Sequence, residues 1–247
     1  MSNLYGPGLS KIFDKIYQGF IDYEAEFELY ANLCLSRNVK SILELGCGTG
    51  NLAKRFSKSF HEYLGLDFSE HMLAIAKEKF PAGNFMQGDM RNFSLDQKYD
   101  AALITGRSTS YLLSNQDFQD TLKSVHRALN PRGYLIFDCI DADKFIPYVR
   151  KNPSVTHKSK VENNYYFRTS KWHSDPNDNT IIHWKSSYYL QKDPNTQFLG
   201  KDKVTFKVFT MAEITTALNK AGYEVLSIFE RTTYAFDTFV VLAIKME

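Results

Sequence analysis

Apolar residues along this chain fall into two rhythms, short continuous runs and helical spacings, which alternate between residue 39 and about residue 150. Before that point, Leu9, Ile12, Phe13 and Ile16, then Phe20, Tyr23, Phe27 and Tyr30, recur at helical intervals, so residues 8–36 read as one or two helices. A first strand is expected over Val39–Leu45, followed by a glycine-rich turn and a helix beginning near Asn51 with Leu52, Ala53 and Phe56 on one face. The second strand, Glu62–Asp67, ends in an acid. Ser69 is the better N-cap for the next helix, Glu70–Lys79, which leaves Asp67 free. Asn84–Gln87 reads as the third strand and Tyr99–Thr105 as the fourth. The next helix carries Phe118, Leu122, Val125 and Leu129 on its apolar face. Asn130-Pro131-Arg132-Gly133 then reads as a turn before the fifth strand, Tyr134–Asp138. Strands and helices alternating in this way imply right-handed crossovers and a parallel sheet.

The rhythm changes over residues 151–208. Glu162–Trp172, Thr180–Leu190 and Lys203–Phe209 alternate or cluster aromatic and β-branched residues between polar turns, Asp175–Asp178 and Asp193-Pro194-Asn195. No helix separates them, so they read as an inserted antiparallel sheet. Thr210-Met211-Ala212-Glu213 is a capping box that starts a helix with Ile214, Leu218 and Ala221 inward, and Gly222 stops it. Tyr223–Glu230 and Phe236–Lys245 form a closing hairpin. The expected fold is α/β: a doubly wound, mainly parallel seven-stranded sheet with a reversed last strand, an N-terminal helical cap and the inserted sheet. The expected division is a cap at 1–38, a core at 39–150 and 209–247, and a β insert at 151–208 that roofs a substrate or forms a dimer surface.

At 247 residues the chain is long enough to bury a sizeable core, and 43% hydrophobic with 23% charged residues is ordinary for a globular protein. A net charge of +2 gives no reason to expect nucleic acid or an anionic membrane as partner. Residues 1–10 lack the pattern of a signal peptide, and no apolar stretch has the length of a membrane span. Cys34, Cys47 and Cys139 lie far apart with no C-x-x-C pair, which argues against a zinc site or disulfide framework and fits a reducing cytoplasm.

The chemistry concentrates at predicted strand ends. Glu44-Leu45-Gly46-Cys47-Gly48-Thr49-Gly50 places three glycines where a strand gives way to a helix, so a ligand can approach the backbone closely. The spacing is G-x-G-x-G and not the G-x-G-x-x-G that cradles a pyrophosphate. Asp67, 17 residues beyond Gly50, stands about where a ribose-binding carboxylate belongs in a doubly wound fold. Gly88-Asp89-Met90 follows the third strand and Thr105-Gly106-Arg107 the fourth.

These motifs, with Leu66-Asp67-Phe68-Ser69-Glu70-His71-Met72-Leu73 and Asn130-Pro131-Arg132-Gly133-Tyr134, resemble class I S-adenosylmethionine-dependent methyltransferases of the small-molecule type. Tyr17-Gln18-Gly19, Gly88–Phe93 and the inserted strands are similar to aminosugar N-methyltransferases, which act on amines of nucleotide-linked sugars. The resemblance implies S-adenosylmethionine as cofactor, with Gly46, Cys47, Gly48 and Asn51 on its methionine part, and Asp67 and Phe68 on ribose and adenine. It also implies Met72 near the adenosine, Asp89 and Met90 on the adenine, and Thr105 and Gly106 under the sulfonium. Tyr17 and Tyr23 would reach the methionine carboxylate from a lid formed by the Tyr17–Tyr23 break. Arg107 departs from the small or neutral residue usual there, and its strand-end position suits a carboxylate or phosphate on the substrate.

Methyl transfer is an in-line displacement that asks the protein mainly for alignment and desolvation, with a base only if the nucleophile starts protonated. Tyr111 and Asp141 are the candidate substrate-contacting catalytic residues, and Asp141 and Asp143 equally suit a cap on the segment Lys144–Val149. Asp138 and the insert histidines His157, His173 and His183 are further candidates. The expected partner is a small-molecule methyl acceptor with an N or O nucleophile, on a monomer or homodimer, with no metal. Three alternatives compete. A nicotinamide oxidoreductase would want G-x-G-x-x-G and a helical Y-x-x-x-K pair, whereas Tyr188 and Lys192 fall in a strand-like segment before Asp193-Pro194. A nucleic-acid methyltransferase commonly has [DNS]-P-P-[YFW] where this chain has Thr105-Gly106-Arg107-Ser108. The third alternative is a non-catalytic cofactor-binding scaffold.

Overall fold

Every residue of β1 (Ser41–Leu45) is buried, and its side chains alternate between two apolar clusters, Ile42 in one and Leu43 and Leu45 in the other. Such a strand must be covered on both faces. The computed structural model describes residues 5–192, 195–233 and 235–247. Within them β1 lies at the centre of a seven-stranded sheet. To one side it pairs in parallel with β2 (Glu62–Asp67), which pairs with β3 (Phe85–Gln87); to the other it pairs with β4 (Tyr99–Ile104), then β5 (Leu129–Ile140). β11 (Thr238–Lys245) runs antiparallel to β5 and to β10 (Tyr223–Arg231), giving the order β10-β11-β5-β4-β1-β2-β3. Chain direction across the sheet reverses between β1 and β4, and in open α/β sheets ligands bind outside the carboxyl ends of the strands at such a switch point.

On one face lie α5 (Asn115–Ala128) and α7 (Met211–Lys220), which bury Phe118, Leu122, Ile214 and Leu218. On the other, α2 (Tyr23–Leu35) and α3 (Ala53–Ser59) bury Tyr30, Cys34 and Phe56. The capping box at Thr210 and Glu213 is formed, and Gly222 takes φ +80° past the end of α7. α4 (Glu70–Lys79) is capped by Ser69 as expected.

Several boundaries differ from the sequence expectation for identifiable reasons. Leu129 is the first residue of β5 and not the last of a helix face. A buried leucine satisfies both spacings, so periodicity alone does not separate them. The expected turn Asn130–Gly133 is absorbed into β5 as an irregularity. Pairing passes from Tyr99↔Leu129 to Ala101↔Tyr134, Arg132 takes φ +58°, and the Asn130 amide donates to Asp100 at 2.8 Å.

The insert holds four strands: β6 (Ser154–Val161), β7 (Asn164–Ser174), β8 (Ile181–Lys192) and β9 (Asn195–Lys207). The sequence reading missed β6 because it is a largely exposed edge strand in which Lys158 and Lys160 replace the apolar alternation that marks buried strands. Of the expected turn Asp193-Pro194-Asn195, the first two residues lie outside the described residues, and Asn195 opens β9. One end of the insert's inner face packs on α1 (Ser10–Gln18) through Ile16, Tyr166 and Leu190. The other end packs on α6 (Ala142–Lys151) through Phe145, Trp172 and Phe206. The insert is thereby held over the carboxyl ends of the parallel strands. Among the described residues, no helix is long and apolar enough to cross a membrane.

Candidate active site

A cavity of about 510 Å³ opens over the carboxyl ends of β1, β2, β3 and β4, within the ~300–1,000 Å³ usual for small-molecule sites. Gly46, Cys47, Gly48 and Asn51 line it from the loop after β1, Asp67 and Phe68 from the end of β2, and Met72 from α4. Asp89 and Met90 line it after β3, Thr105, Gly106 and Arg107 after β4, and Tyr17 and Tyr23 from the helical cap. Tyr111 joins them from a 3-10 turn, Ser108–Tyr111. Asp141 does not line the cavity. Its carboxylate accepts the Asp143 backbone N–H at 2.9 Å as the N-cap of α6, because the chain turns there from β5 into the helix.

The loop after β1 is shaped by backbone angles that only glycine adopts cheaply. Gly46 has φ +72°, and a Cβ built there would lie 2.6 Å from Ser108 Oγ. Gly48 has φ +55° and nothing within 4 Å of its absent Cβ. Its N–H donates to Asp67 Oδ2 at 2.8 Å, while the Ser69 N–H donates to Oδ1 at 2.9 Å. Asp67 is therefore not idle, contrary to the reading that Ser69 leaves it free. It ties the glycine loop to the end of β2, and burial raises its pKa. Each carboxylate oxygen carries a further lone pair beyond the one so used.

Beneath the loop, Glu44 is fully enclosed. Tyr63 donates to Oε2 at 2.5 Å and Thr105 to Oε1 at 3.1 Å, and burial outweighs both, pushing the carboxyl up to about 7. Above the loop, Thr49 Oγ1 donates to Asp14 of α1 at 2.5 Å, and Lys79 reaches the same carboxylate at 2.8 Å and also Asn51 Oδ1. These bonds bind the cap to the loop.

Asp89 is forked by Arg91, with the guanidinium Nη2 at 2.6 Å from Oδ2, and this hydrogen-bonded pair pulls its pKa down. Gly106 and Arg107 both take left-handed backbone angles, and the Arg107 N–H donates to the buried Asp138 at 2.7 Å. Burial pushes Asp138 up to about 6 against the pull of Arg107. The Arg107 guanidinium carbon lies 5.3 Å from the Phe236 ring centroid. The Tyr17 hydroxyl accepts from the wholly buried Arg168 of β7 at 2.6 Å, and Tyr111 shares a hydroxyl–hydroxyl bond with Tyr5.

The sequence reading offered the β insert as a substrate roof or a dimer surface, without saying which of its residues face the cavity. Trp184, Ser186 and Tyr188 of β8, Val204 and Phe206 of β9, and Phe236 close the cavity from above, and Ser110 and Asp202 stand beside them. Alternation shows that residues 184, 186 and 188 share a face, but not which face turns to the cavity. The three insert histidines do not line it. His157 bonds Arg168 and is pushed down to about 4 by burial and that positive charge, while His183 sits between Asp175 and Thr205. Tyr188 and Lys192 both lie on β8 and not on a helix.

Residues 42–133 match the family described as a methyltransferase domain. This stretch of the chain is similar to a methyltransferase domain. It holds β1 to β4 and the start of β5, hence the tips of β1 to β4 over which the cavity opens. Among curated proteins, dTDP-3-amino-3,4,6-trideoxy-alpha-D-glucopyranose N,N-dimethyltransferase of Streptomyces venezuelae is 33% identical over 138 residues, 55% of this chain and 58% of that protein. dTDP-3-amino-3,6-dideoxy-alpha-D-glucopyranose N,N-dimethyltransferase of Streptomyces fradiae is 29% identical over 137 residues, 54% of each chain. The chain thus spans somewhat over half the length of these relatives. Among solved structures, Streptomyces venezuelae DesVI superposes with a TM-score of 0.81 at 24% identity, covering 94% of this chain and 97% of its own. CalS10 of Micromonospora echinaspora, an amino pentose methyltransferase with SAM bound, gives 0.78 at 20%, covering 95% and 97%. At these identities the shared property is the fold, which matches over nearly the whole of this chain, the seven-stranded sheet and the added antiparallel sheet included.

Proposed function

We propose that the chain is an S-adenosylmethionine-dependent methyltransferase acting on a small-molecule acceptor, by likeness to its curated relatives an amine on a sugar. The observation that carries the reading is the convergence of three strand tips, Gly46–Gly48, Asp67 and Asp89, on one enclosed cavity over the stretch similar to a methyltransferase domain. The residues present suit that cofactor. A loop with open space at Gly48 admits close backbone approach, and a carboxylate with lone pairs in reserve suits a pair of ribose hydroxyls. The nicotinamide and nucleic-acid alternatives have no counterpart in the matched family or the relatives named above.

When bound, the cofactor supplies a methyl group already activated on a positively charged sulfur, with a neutral leaving group. The chain's own part is then to hold, align and dry the site. Gly46, Cys47, Gly48 and Asn51 take the methionine part, Asp67 and Phe68 the ribose and adenine edge, and Met72, Asp89 and Met90 the adenine. Thr105 and Gly106 would hold the sulfonium end. Tyr17 and Tyr23 close the cap side, and Trp184, Phe206 and Phe236 exclude water from the acceptor side. Arg107 and Tyr111 contact the acceptor, and Asp141 acts only as a helix cap. The three buried free cysteines suit a reducing compartment such as the cytoplasm.

Calorimetry with S-adenosylhomocysteine tests the reading. The wild type binds it, NAD gives no heat, and D67N weakens binding by about tenfold or more, the worth of one charge-assisted hydrogen bond. Equal affinity in D67N, or no heat in the wild type, would sink it.

A further inference from the structure

Side chains alternate along a strand, so insert residues between those that face the cavity point away from it. On that far face, strand register sets Lys158, Phe167, Tyr189 and Phe198 in one row across the four strands. Lys171, Lys185 and Lys203 share another row, Lys201 ends the row between, and Lys160 and Tyr165 begin the row beyond Lys158. All six lysines are exposed, as are Tyr165 and Phe198. No Asp or Glu stands in any of these rows. Acids lie only past their ends, Glu162 in the β6–β7 turn and Asp175 bonded to His183. A whole-chain charge of +2 conceals this face, because without its six lysines the rest of the chain is net negative.

The chemistry of the face selects among anionic partners. A second copy would set six lysines against six, and like charges so juxtaposed repel. Protein interfaces favour arginine and are poor in lysine, and no arginine stands in these rows. A nucleic-acid base needs a bare ring to stack on. Here Lys158 Nζ lies 4.1 Å from the Tyr165 ring centroid and 5.3 Å from that of Phe167, and Lys201 Nζ lies 5.9 Å from that of Phe198. An anionic lipid surface attracts lysines without fixing their geometry, and aromatic rings settle at its headgroup level. We propose that this face docks on an anionic lipid surface, its six lysines against the headgroups and Tyr165 and Phe198 seated among them. The cavity lies on the other side of the sheet, so docking leaves its lining uncovered and the assignment is independent of the methyltransferase reading.

Co-sedimentation of the full chain with vesicles tests it, using phosphatidylcholine with and without about 30% phosphatidylserine, the anionic lipid of such surfaces. The wild type binds the phosphatidylserine vesicles and not the neutral ones, and added salt releases it. Each lysine near an anionic surface multiplies affinity about fivefold, so K171Q/K185Q/K203Q binds about a hundredfold more weakly. K54Q/K58Q/K77Q removes the same charge from α3 and α4 and binds like the wild type. F198S weakens binding severalfold. Circular dichroism checks that each variant folds, and K158Q/K160Q/K201Q, on the same face, serves if the first triple does not. Equal binding to both vesicles, binding to neither, or equal losses in the two sets of lysine variants overturns the assignment. A dimer that K171Q/K185Q/K203Q dissolves in sedimentation velocity would give the face to a second copy and overturn it too. Tighter binding to a single-stranded oligonucleotide than to the vesicles, lost in the same variant, would give it to nucleic acid with the same consequence.

Discussion

Glu44→Gln tests whether the buried acid under the glycine loop is neutral in the folded protein. Glu44 has a folded-state pKa of about 7 against an ordinary 4.5, with burial as the dominant cause. A carboxyl whose pKa is raised on folding binds its proton more tightly in the native state, so stability falls as pH rises between the two values. The contribution is fully present below pH 4.5, is lost through the window up to about 7, and is absent above it. Integrating from about pH 5 to about pH 8 gives on the order of 2–3 kcal/mol for this one group. Other groups titrate in the same range, Asp138 in the same direction and His157 in the opposite one, so the slope of the wild type alone is not diagnostic. The difference between E44Q and wild type cancels them. Glutamine has no charge to bury and keeps an oxygen for the Tyr63 hydroxyl, so E44Q gains 2–3 kcal/mol on the wild type between about pH 5 and about pH 8, whatever its offset. Urea unfolding at several pH values, with two-state behaviour checked by two probes, measures it. A difference that stays constant with pH, or runs the other way, would refute the claim that Glu44 is held protonated by burial.

Two further outcomes separate site from scaffold. Gly46→Ala sets a Cβ 2.6 Å from Ser108 Oγ at φ +72°. It lowers stability by roughly 1–2 kcal/mol from the backbone angle alone and weakens S-adenosylhomocysteine binding more than tenfold; unchanged calorimetry would show that the loop does not touch the cofactor. Asp141→Ala removes the N-cap of α6, costing about 1 kcal/mol by denaturant unfolding and leaving turnover to S-adenosylhomocysteine unaffected; a large drop in turnover would restore Asp141 to the chemistry.

The strand tips were legible because each rests on local chemistry. Gly46, Gly48 and Gly50 announce a turn that needs positive φ, Asp67 ends a strand at the distance a doubly wound fold sets, and Ser69 announces the next cap. Tyr17, Tyr23 and Arg107 line the cavity, yet the partners Arg168 for Tyr17 and Asp138 for Arg107 were not foreseeable. Those bonds join positions 151 and 31 residues apart, and no local pattern encodes them.

What the sequence determined by itself was the order of elements and the acids and glycines at their ends, since backbone propensity and periodicity act over a few residues. What only the tertiary structure decided was the roof. In the sequence, Asp202 stands between Lys201 and Lys203, just before the expected strand Lys203–Phe209. The register of β9 on β8, together with the packing of the insert on α1 and α6, turns Asp202 inward while both lysines stay exposed. A strand's two faces are equivalent until something packs on one of them, and here that something lies far away in the chain.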